Sequence, residues 1–333
     1  MIWNNIELFN VEYIEEAERG ITIYRFPKTT LQSFDLPWLS YSKPVGEMAT
    51  GCEMRFVGEG ADIELCAVNA PGTVEIFRGD YLDRVVALPK GEVVKIELRP
   101  GYRLDTCDMS GFRSRFSSFM WRVVFDHEFT AQIVSVTPVG EIRPPREDEA
   151  PSKRILCYGS SITHSVGAVN YTNSYIYTIG RLLGEDILCK GMSGSCLIQD
   201  EVCDYVENAD WDIAIFELGV NMVGVGWDTA VFREKAERLI KAAMKRGKPI
   251  FLISIFSCHH DFTYSDNYKL NGEYISCLEE LYEKYKNDKL FYIRGRDIVT
   301  DYGYLLCDLI HPSPFGHGEM GRKIAAIIKD KLG

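Results

Sequence analysis

Near residue 140 the chain changes its hydrophobic period, and no other feature constrains its fold as much. Before that point apolar residues alternate with polar ones in short runs. CEMRFVGEGADIELCAV (52–68) alternates around a Gly-Glu-Gly turn; VEIFRG, VVALPKGEVVKIEL and FMWRVVFDHEFTAQIVSVTPV follow, broken by Gly, Pro and Asp. A period of two with one polar face specifies antiparallel strands, and the number of runs predicts an all-β sandwich or jelly roll over residues 1–140. No helix of useful length is expected there.

The stretch GEIRPPREDEAPSKR is rich in proline and charge and has almost nothing to bury, so residues 141–152 read as a linker. From 153 to 333 the runs ILCYG, ILCKG, DIAIFELG, PIFLISIF and LFYIRG alternate with amphipathic segments such as NSYIYTIGRLLG and FREKAERLIKAAMKRG. Strands without a polar face, separated by helices, make a parallel sheet covered on both sides, which predicts an α/β domain of three layers, αβα. Ligands of such sheets bind outside the carboxyl ends of the strands. The first strand runs at that end into Gly159-Ser160-Ser161.

A formal net charge of −11 does not supply the basic face that nucleic acid or an anionic membrane demands, so neither is an expected partner. The opening residues, MIWNNIELFNVEYIEEAERG, carry acids where a secretion signal needs a positive flank, and no run is long enough to span a bilayer. Ten cysteines include no CxxC pair, and Cys66, Cys157 and Cys189 lie inside apolar runs. They read as buried reduced thiols, which points to a cytoplasmic protein.

A serine hydroxyl is a nucleophile only when a base takes its proton, so Gly-Ser-Ser alone also fits a turn or a helix cap. The far end of the domain supplies the base. In CDLIHPSPFGHGEMG, Asp308 precedes His311 by three residues, a spacing that lets the carboxylate accept the Nδ1 proton and leaves Nε2 free. Acyl transfer also needs donors for the charge that develops on the carbonyl oxygen. KGMSGS after the second strand offers Gly191 and Gly194, and ELGVNMVG after the third offers Asn221; singly, each also fits a turn or cap.

In chain order, GSS after strand one, a glycine after strand two, GxN after strand three and DxxHP before the last helix resemble the SGNH hydrolase superfamily, the GDSL-like esterases. The resemblance covers about residues 153–333 and implies a flavodoxin-like three-layer hydrolase domain there. It implies Ser161 as nucleophile and first oxyanion donor, Gly194 and Asn221 as further donors, and Asp308 and His311 as the remaining pair. Gly191 competes with Gly194, which is preferred because it follows Ser193. Three positions depart from the pattern: Ser160 stands where the family has aspartate, Met222 where many relatives have aspartate, and Cys189 where an asparagine often opens the second block.

An all-β domain ahead of such a hydrolase is similar to the two-domain carbohydrate esterases, family 2 among them. The resemblance therefore implies a serine esterase that removes a short acyl group, acetyl by expectation, from a small-molecule or oligosaccharide ester, without cofactor or metal. The alternatives are a lysophospholipase or thioesterase-type acyl hydrolase, and a carbohydrate-binding protein with an inactive hydrolase domain.

Other residues carry weaker signals. His259, His260 and Asp261 follow the fourth strand and are ordinary metal-ligand types, but no further ligand spacing accompanies them, so they read as a loop or substrate contact. His164 has no nearby carboxylate to orient it as a base, and His317 reads as structural. Trp38, Trp121 and Trp227 are candidates for stacking on a sugar ring, Trp121 being better explained by packing inside a strand.

Overall fold

The computed structural model describes every residue except 109, 110, 112, 113, 264 and 265, and leaves undescribed the side chains of 102, 105, 262 and 266. The amino-terminal half runs β1 (Ile2–Trp3), β2 (Ile6–Phe9), β3 (Tyr13–Glu16), β4 (Ile21–Tyr24), α1 (Lys28–Ser33), α2 (Ser42–Glu47), β5 (Glu53–Ala67), β6 (Gly72–Arg78), β7 (Tyr81–Leu88), β8 (Val93–Leu98), α3 (Tyr102–Thr106), β9 (Met120–Phe125) and β10 (Ala131–Arg143). The remainder runs β11 (Arg154–Gly159), α4 (Tyr175–Leu183), β12 (Asp186–Gly191), α5 (Asp200–Asn208), β13 (Ile213–Glu217), α6 (Val220–Gly224), α7 (Thr229–Met244), β14 (Ile250–Ile253), α8 (Asp266–Tyr285), β15 (Leu290–Ile293), α9 (Gly295–Ile298) and α10 (Pro314–Leu332). Two compact units result: Met1–Pro27 with Gly46–Ser152, and Lys28–Val45 with Lys153–Gly333.

The first unit is an antiparallel sheet of ten strands built around β5. The start of β5 pairs with β2 and β9, and its later part with β10 and β8. Gly58-Glu59-Gly60 is therefore not a hairpin turn, as its composition suggested, but an interior stretch of one continuous strand. Buried core residues are Met54 and Phe56 before it and Ala61, Ile63 and Leu65 after it, so the strand changes face there. A Cβ at Gly60 would lie 2.1 Å from the Leu98 carbonyl oxygen, which is why the close approach to β8 takes glycine.

The opposite face of the same strands buries charge. Arg122 Nη2 lies 2.7 Å from Glu53 Oε1, Arg55 Nε lies 2.8 Å from Glu53 Oε2, and each guanidinium sits 3.7 Å from a ring centroid, of Phe116 and Phe9 respectively. Residues 141–152 do not form a tether: Arg143 closes a double contact with Glu149 at 2.7 Å, and the Glu149 carbonyl accepts from Ser117 N–H at 2.8 Å. The stretch expected to be a linker thus belongs to the first unit.

The second unit holds five parallel strands in the order β12-β11-β13-β14-β15, the flavodoxin-like order. Every residue of β12, β13 and β14 is buried, so both faces of the sheet are covered. α4 and α10 pack together, as do α5, α7 and α8 in series. Caps mark the helix starts: Ser174, Asp228 and Ser313 side chains accept N–H groups of α4, α7 and α10, and Pro314 opens α10. Lys28–Val45 joins this unit although it lies inside the stretch expected to be all-β. α1 packs on α5, Thr30 Oγ1 donates to the Glu201 carbonyl at 3.4 Å, and Leu31, Phe34, Leu39 and Val45 are buried. Among the described residues no helix is long and apolar enough to cross a membrane.

Candidate active site

The sheet order reverses between β12-β11 and β13, and the crevice at the carboxyl ends of β11 and β13 is where a parallel sheet of this order takes its ligand. β11 ends at Gly159 and the chain turns sharply. His164 N–H donates to the Ser160 carbonyl and Val166 N–H to that of Ser161, both at 3.0 Å. Ser165 in this turn adopts a φ of 81°, a strained backbone for a residue with a side chain. Ser161 is 8% exposed, with Oγ 2.8 Å from His311 Nε2.

His311 comes from the loop before α10. Its Nδ1 lies 2.7 Å from Asp308 Oδ2, while Asp308 Oδ1 accepts the N–H groups of Ile310 at 2.9 Å and His311 at 3.0 Å. Burial works against the ionised Asp308, but the bonds from His311 and these amides outweigh it and hold the carboxyl below its usual range. The loop is tied at both ends. The His311 carbonyl accepts from Leu306 N–H at 2.8 Å, and Ser313 Oγ donates to the Tyr304 carbonyl at 3.0 Å while capping α10. A base within hydrogen-bond reach of a serine hydroxyl, oriented through its other nitrogen by a carboxylate, is able to take the proton as the oxygen attacks a carbonyl.

The two loops expected to supply further donors converge as well. Cys196 N–H donates to Asn221 Oδ1 at 3.1 Å, which fixes the orientation of the amide and leaves Nδ2 as its donor end. Gly191 ends β12 directly beneath the serine turn, where an added Cβ would meet His164 N at 2.3 Å; its lack of a side chain serves that packing. Gly194 lies in the loop beyond, at φ +67°, with Tyr41 against it.

A family profile, described as the GDSL-like lipase/acylhydrolase family, matches residues 152–329. The chain belongs to that family. It is a carboxylic ester hydrolase of the GDSL type. No curated protein matches it in sequence. Among solved structures, a salicylyl-acyltransferase, SsfX3, from a tetracycline biosynthetic pathway superposes with a TM-score of 0.81 at 14% identity, over 99% of this chain and 97% of the other. An active-site mutant of a family two carbohydrate esterase from Clostridium thermocellum gives 0.66 at 15% identity over 98% of each chain. The acetyl xylan esterase Est2A from Butyrivibrio proteoclasticus gives 0.61 at 12% identity, over 100% and 96%. The GDSL-type hydrolase thus shares its two-part fold with these proteins.

Most of the remaining candidates of this GDSL-type hydrolase are held by local contacts. His164 is buried with Nδ1 2.7 Å from Ser193 Oγ, tying the serine turn to the second loop. His317 is buried in α10, with Nδ1 accepting from Tyr175 N–H at 3.2 Å and Nε2 3.0 Å from the Val166 carbonyl. Asp261 pairs with Arg296 at 2.6 Å, and His259 N–H donates to the Leu309 carbonyl at 2.8 Å, bracing the loop that carries His311. Cys189 Sγ donates to the Thr163 carbonyl at 3.7 Å, and Met222 is buried. Trp121 is 1% exposed in the first unit, whereas Trp38 is 56% exposed and meets Trp227 with centroids 6.2 Å apart. Sequence reasoning passed over Tyr41 and Glu217, although a carboxylate inside the apolar run IAIFELG was a visible anomaly.

Proposed function

We propose that this enzyme is a serine esterase that removes a short acyl group, acetyl in the leading case, from a carbohydrate ester. The observation that carries the reading is the relay from Ser161 Oγ to His311 Nε2 at 2.8 Å and from His311 Nδ1 to Asp308 at 2.7 Å. His311 takes the Ser161 proton as Oγ bonds to the ester carbonyl carbon, and Asp308 stabilises the imidazolium. The N–H groups of Ser161 and Gly194 and the Asn221 amide receive the oxyanion. Collapse expels the alkoxide, which His311 protonates. Water, activated by the same imidazole, then releases the acid and frees the serine. No cofactor enters these steps.

Two features support a sugar as the alcohol. Trp38 and Trp227, the latter bonded through its backbone N–H to the Met222 carbonyl in the turn that carries Asn221, offer an aromatic stacking surface. The fold is shared, at low identity, with proteins named as carbohydrate and acetyl xylan esterases. All ten cysteines are free thiols, eight of them buried, which fits a reducing, cytoplasmic setting.

The test is a fluorophosphonate labelling experiment joined to substrate profiling. Ser161 takes the label, Ser161→Ala abolishes label and turnover, and Ser160→Ala keeps the label. Acetylated sugars outrun esters of longer acyl chains. Faster hydrolysis of long chains would instead identify a lysophospholipase or thioesterase, and absence of turnover with retained sugar binding an inactive carbohydrate-binding protein. Alcohol acceptors added to the assay reveal any transfer of the acyl group in place of hydrolysis.

A further inference from the structure

Beneath the serine turn lies a set of buried polar groups that the relay does not use. Glu217, the last residue of β13, is 1% exposed. Its Oε2 accepts the Ser160 N–H at 2.7 Å and the Thr163 hydroxyl at 3.2 Å. Thr163 Oγ1 lies 2.7 Å from Tyr175 Oη, and the Tyr175 N–H reaches His317, which returns to the turn through the Val166 carbonyl. The site is cut to admit the carboxylate: a Cβ on Gly159 would lie 2.3 Å from Thr163 Oγ1 and 2.7 Å from Glu217 Oε2.

Glu217 Oε1 has no hydrogen-bond partner among the described residues. A buried carboxylate with an orphan oxygen costs the fold free energy, and such costs concentrate at functional sites. The contacts of the other oxygen say what the group is for. Without it the buried Ser160 N–H would have to find another acceptor, and the turn would rotate. The next amide along is that of Ser161, and the next side chain is the Ser161 hydroxyl aimed at His311.

We propose that Glu217 is the positioning residue of the nucleophile turn, supplying from β13 the carboxylate that the chain lacks at Ser160. Where the family pattern has an aspartate, position 160 carries a hydroxyl, and a carboxylate from the neighbouring strand accepts that residue's backbone N–H. Glu217 touches neither substrate nor reacting atoms; it acts through Ser160 and Thr163.

The inference rests on Ser161 being the nucleophile, and the experiment separates the two. In the full chain, Glu217→Leu lowers kcat for p-nitrophenyl acetate and the fluorophosphonate labelling rate together, by on the order of a hundredfold, with KM unchanged, as expected for a displaced nucleophile. Glu217→Gln keeps an acceptor oxygen for Ser160 N–H and regains about tenfold or more of that loss. Ser160→Asp alone crowds two carboxylates into one buried site and is inactive, while Ser160→Asp with Glu217→Gln recovers at least about tenfold over it. Circular dichroism and urea titration give the folded fraction of each variant. A Glu217→Leu protein labelled at the wild-type rate, or a loss of rate equal to the loss of folded protein, overturns the proposal alone. A wild type that takes no label at Ser161 overturns the nucleophile reading and this proposal with it.

Discussion

Tyr41 Oη donates a hydrogen bond to the Gly194 carbonyl at 3.2 Å, joining residues 153 positions apart in sequence. The ring occupies the space a side chain on Gly194 would need, with Cε2 2.9 Å from the ideal Cβ position. On the same segment Trp38 meets Trp227, which follows the turn carrying Asn221. One amino-terminal excursion therefore rests on both loops that hold candidate oxyanion donors. Such donors work by being fixed before charge develops, so what braces these loops bears on rate.

Tyr41→Phe tests the brace gently. It removes one hydrogen bond from a half-exposed side chain, worth about 1 kcal/mol, so the melting temperature moves little. The expected effect is a severalfold fall in kcat with KM unchanged. Gly194→Ala, which needs a φ of +67° and strikes the Tyr41 ring, falls further, by about a hundredfold or more. Steady-state kinetics beside thermal melts check both; a Tyr41→Phe enzyme at full rate would make the contact incidental.

Asn221 is held by Cys196 N–H on its oxygen, so its amide nitrogen is committed as a donor. Asn221→Ala is expected to lower kcat by on the order of a hundredfold while ground-state binding holds, since the donor meets charge present mainly in the transition state. Asn221→Asp replaces the donor with a carboxylate and is expected to be worse. Parallel kcat and KM measurements decide it, and an Asn221→Ala enzyme at full rate would take Asn221 out of the oxyanion site.

Much of this was legible in the sequence, for identifiable reasons. Continuous apolar runs gave away β11 to β15 because a strand buried on both faces has no polar face to show. Ser161, Asn221 and His311 could be singled out as candidates because each sits at a strand end or helix start that the pattern locates. Three things were not legible. Gly58-Glu59-Gly60 looked like a turn because composition does not distinguish a hairpin from a face change within one strand. The placement of Lys28–Val45 depends on tertiary packing of Leu31, Phe34 and their neighbours, which no local period reports. Glu217 was in view as a charge in an apolar run, but its partners come from a turn 54 and 57 positions away.

Two buried carboxylates, Glu217 and Glu53, titrate with opposite sign. Burial pushes Glu217 up to about 7 against the lowering bonds of Ser160 and Thr163. The unfolded chain then releases this proton near 4.5 while the folded one keeps it, so stability falls as pH rises from about 4.5 to about 7, by about 3 kcal/mol in all. For Glu53, burial is outweighed by the Arg122 and Arg55 guanidiniums and the carboxyl sits at about 2. Its contribution is present above about 4.5 and is lost as pH falls toward about 2. Urea titrations of Glu217→Gln against wild type should show little difference at pH 5 and a more stable variant at pH 8; a pH-independent difference would mean Glu217 is ionised throughout.

The sharpest test of the division into units is truncation. A fragment Lys153–Gly333 contains the five parallel strands and all five candidate site residues, yet lacks Leu31, Phe34, Leu39 and Val45, all buried in the whole chain. At about 1.5–3 kcal/mol per buried apolar side chain, their loss rivals the net stability of about 5–15 kcal/mol that a domain commands. The fragment should therefore show weakened near-ultraviolet dichroism, a lowered urea midpoint and little turnover even of p-nitrophenyl acetate. Phe34→Ala in the full chain isolates the cause, since it leaves Tyr41 and Trp38 in the sequence while removing a fully buried ring, at an expected cost of about 3–5 kcal/mol. If the fragment instead folds with the midpoint of the full chain and hydrolyses the small ester at the same rate, the amino-terminal excursion is dispensable to the hydrolase, and the brace it forms against Gly194 has no part in catalysis.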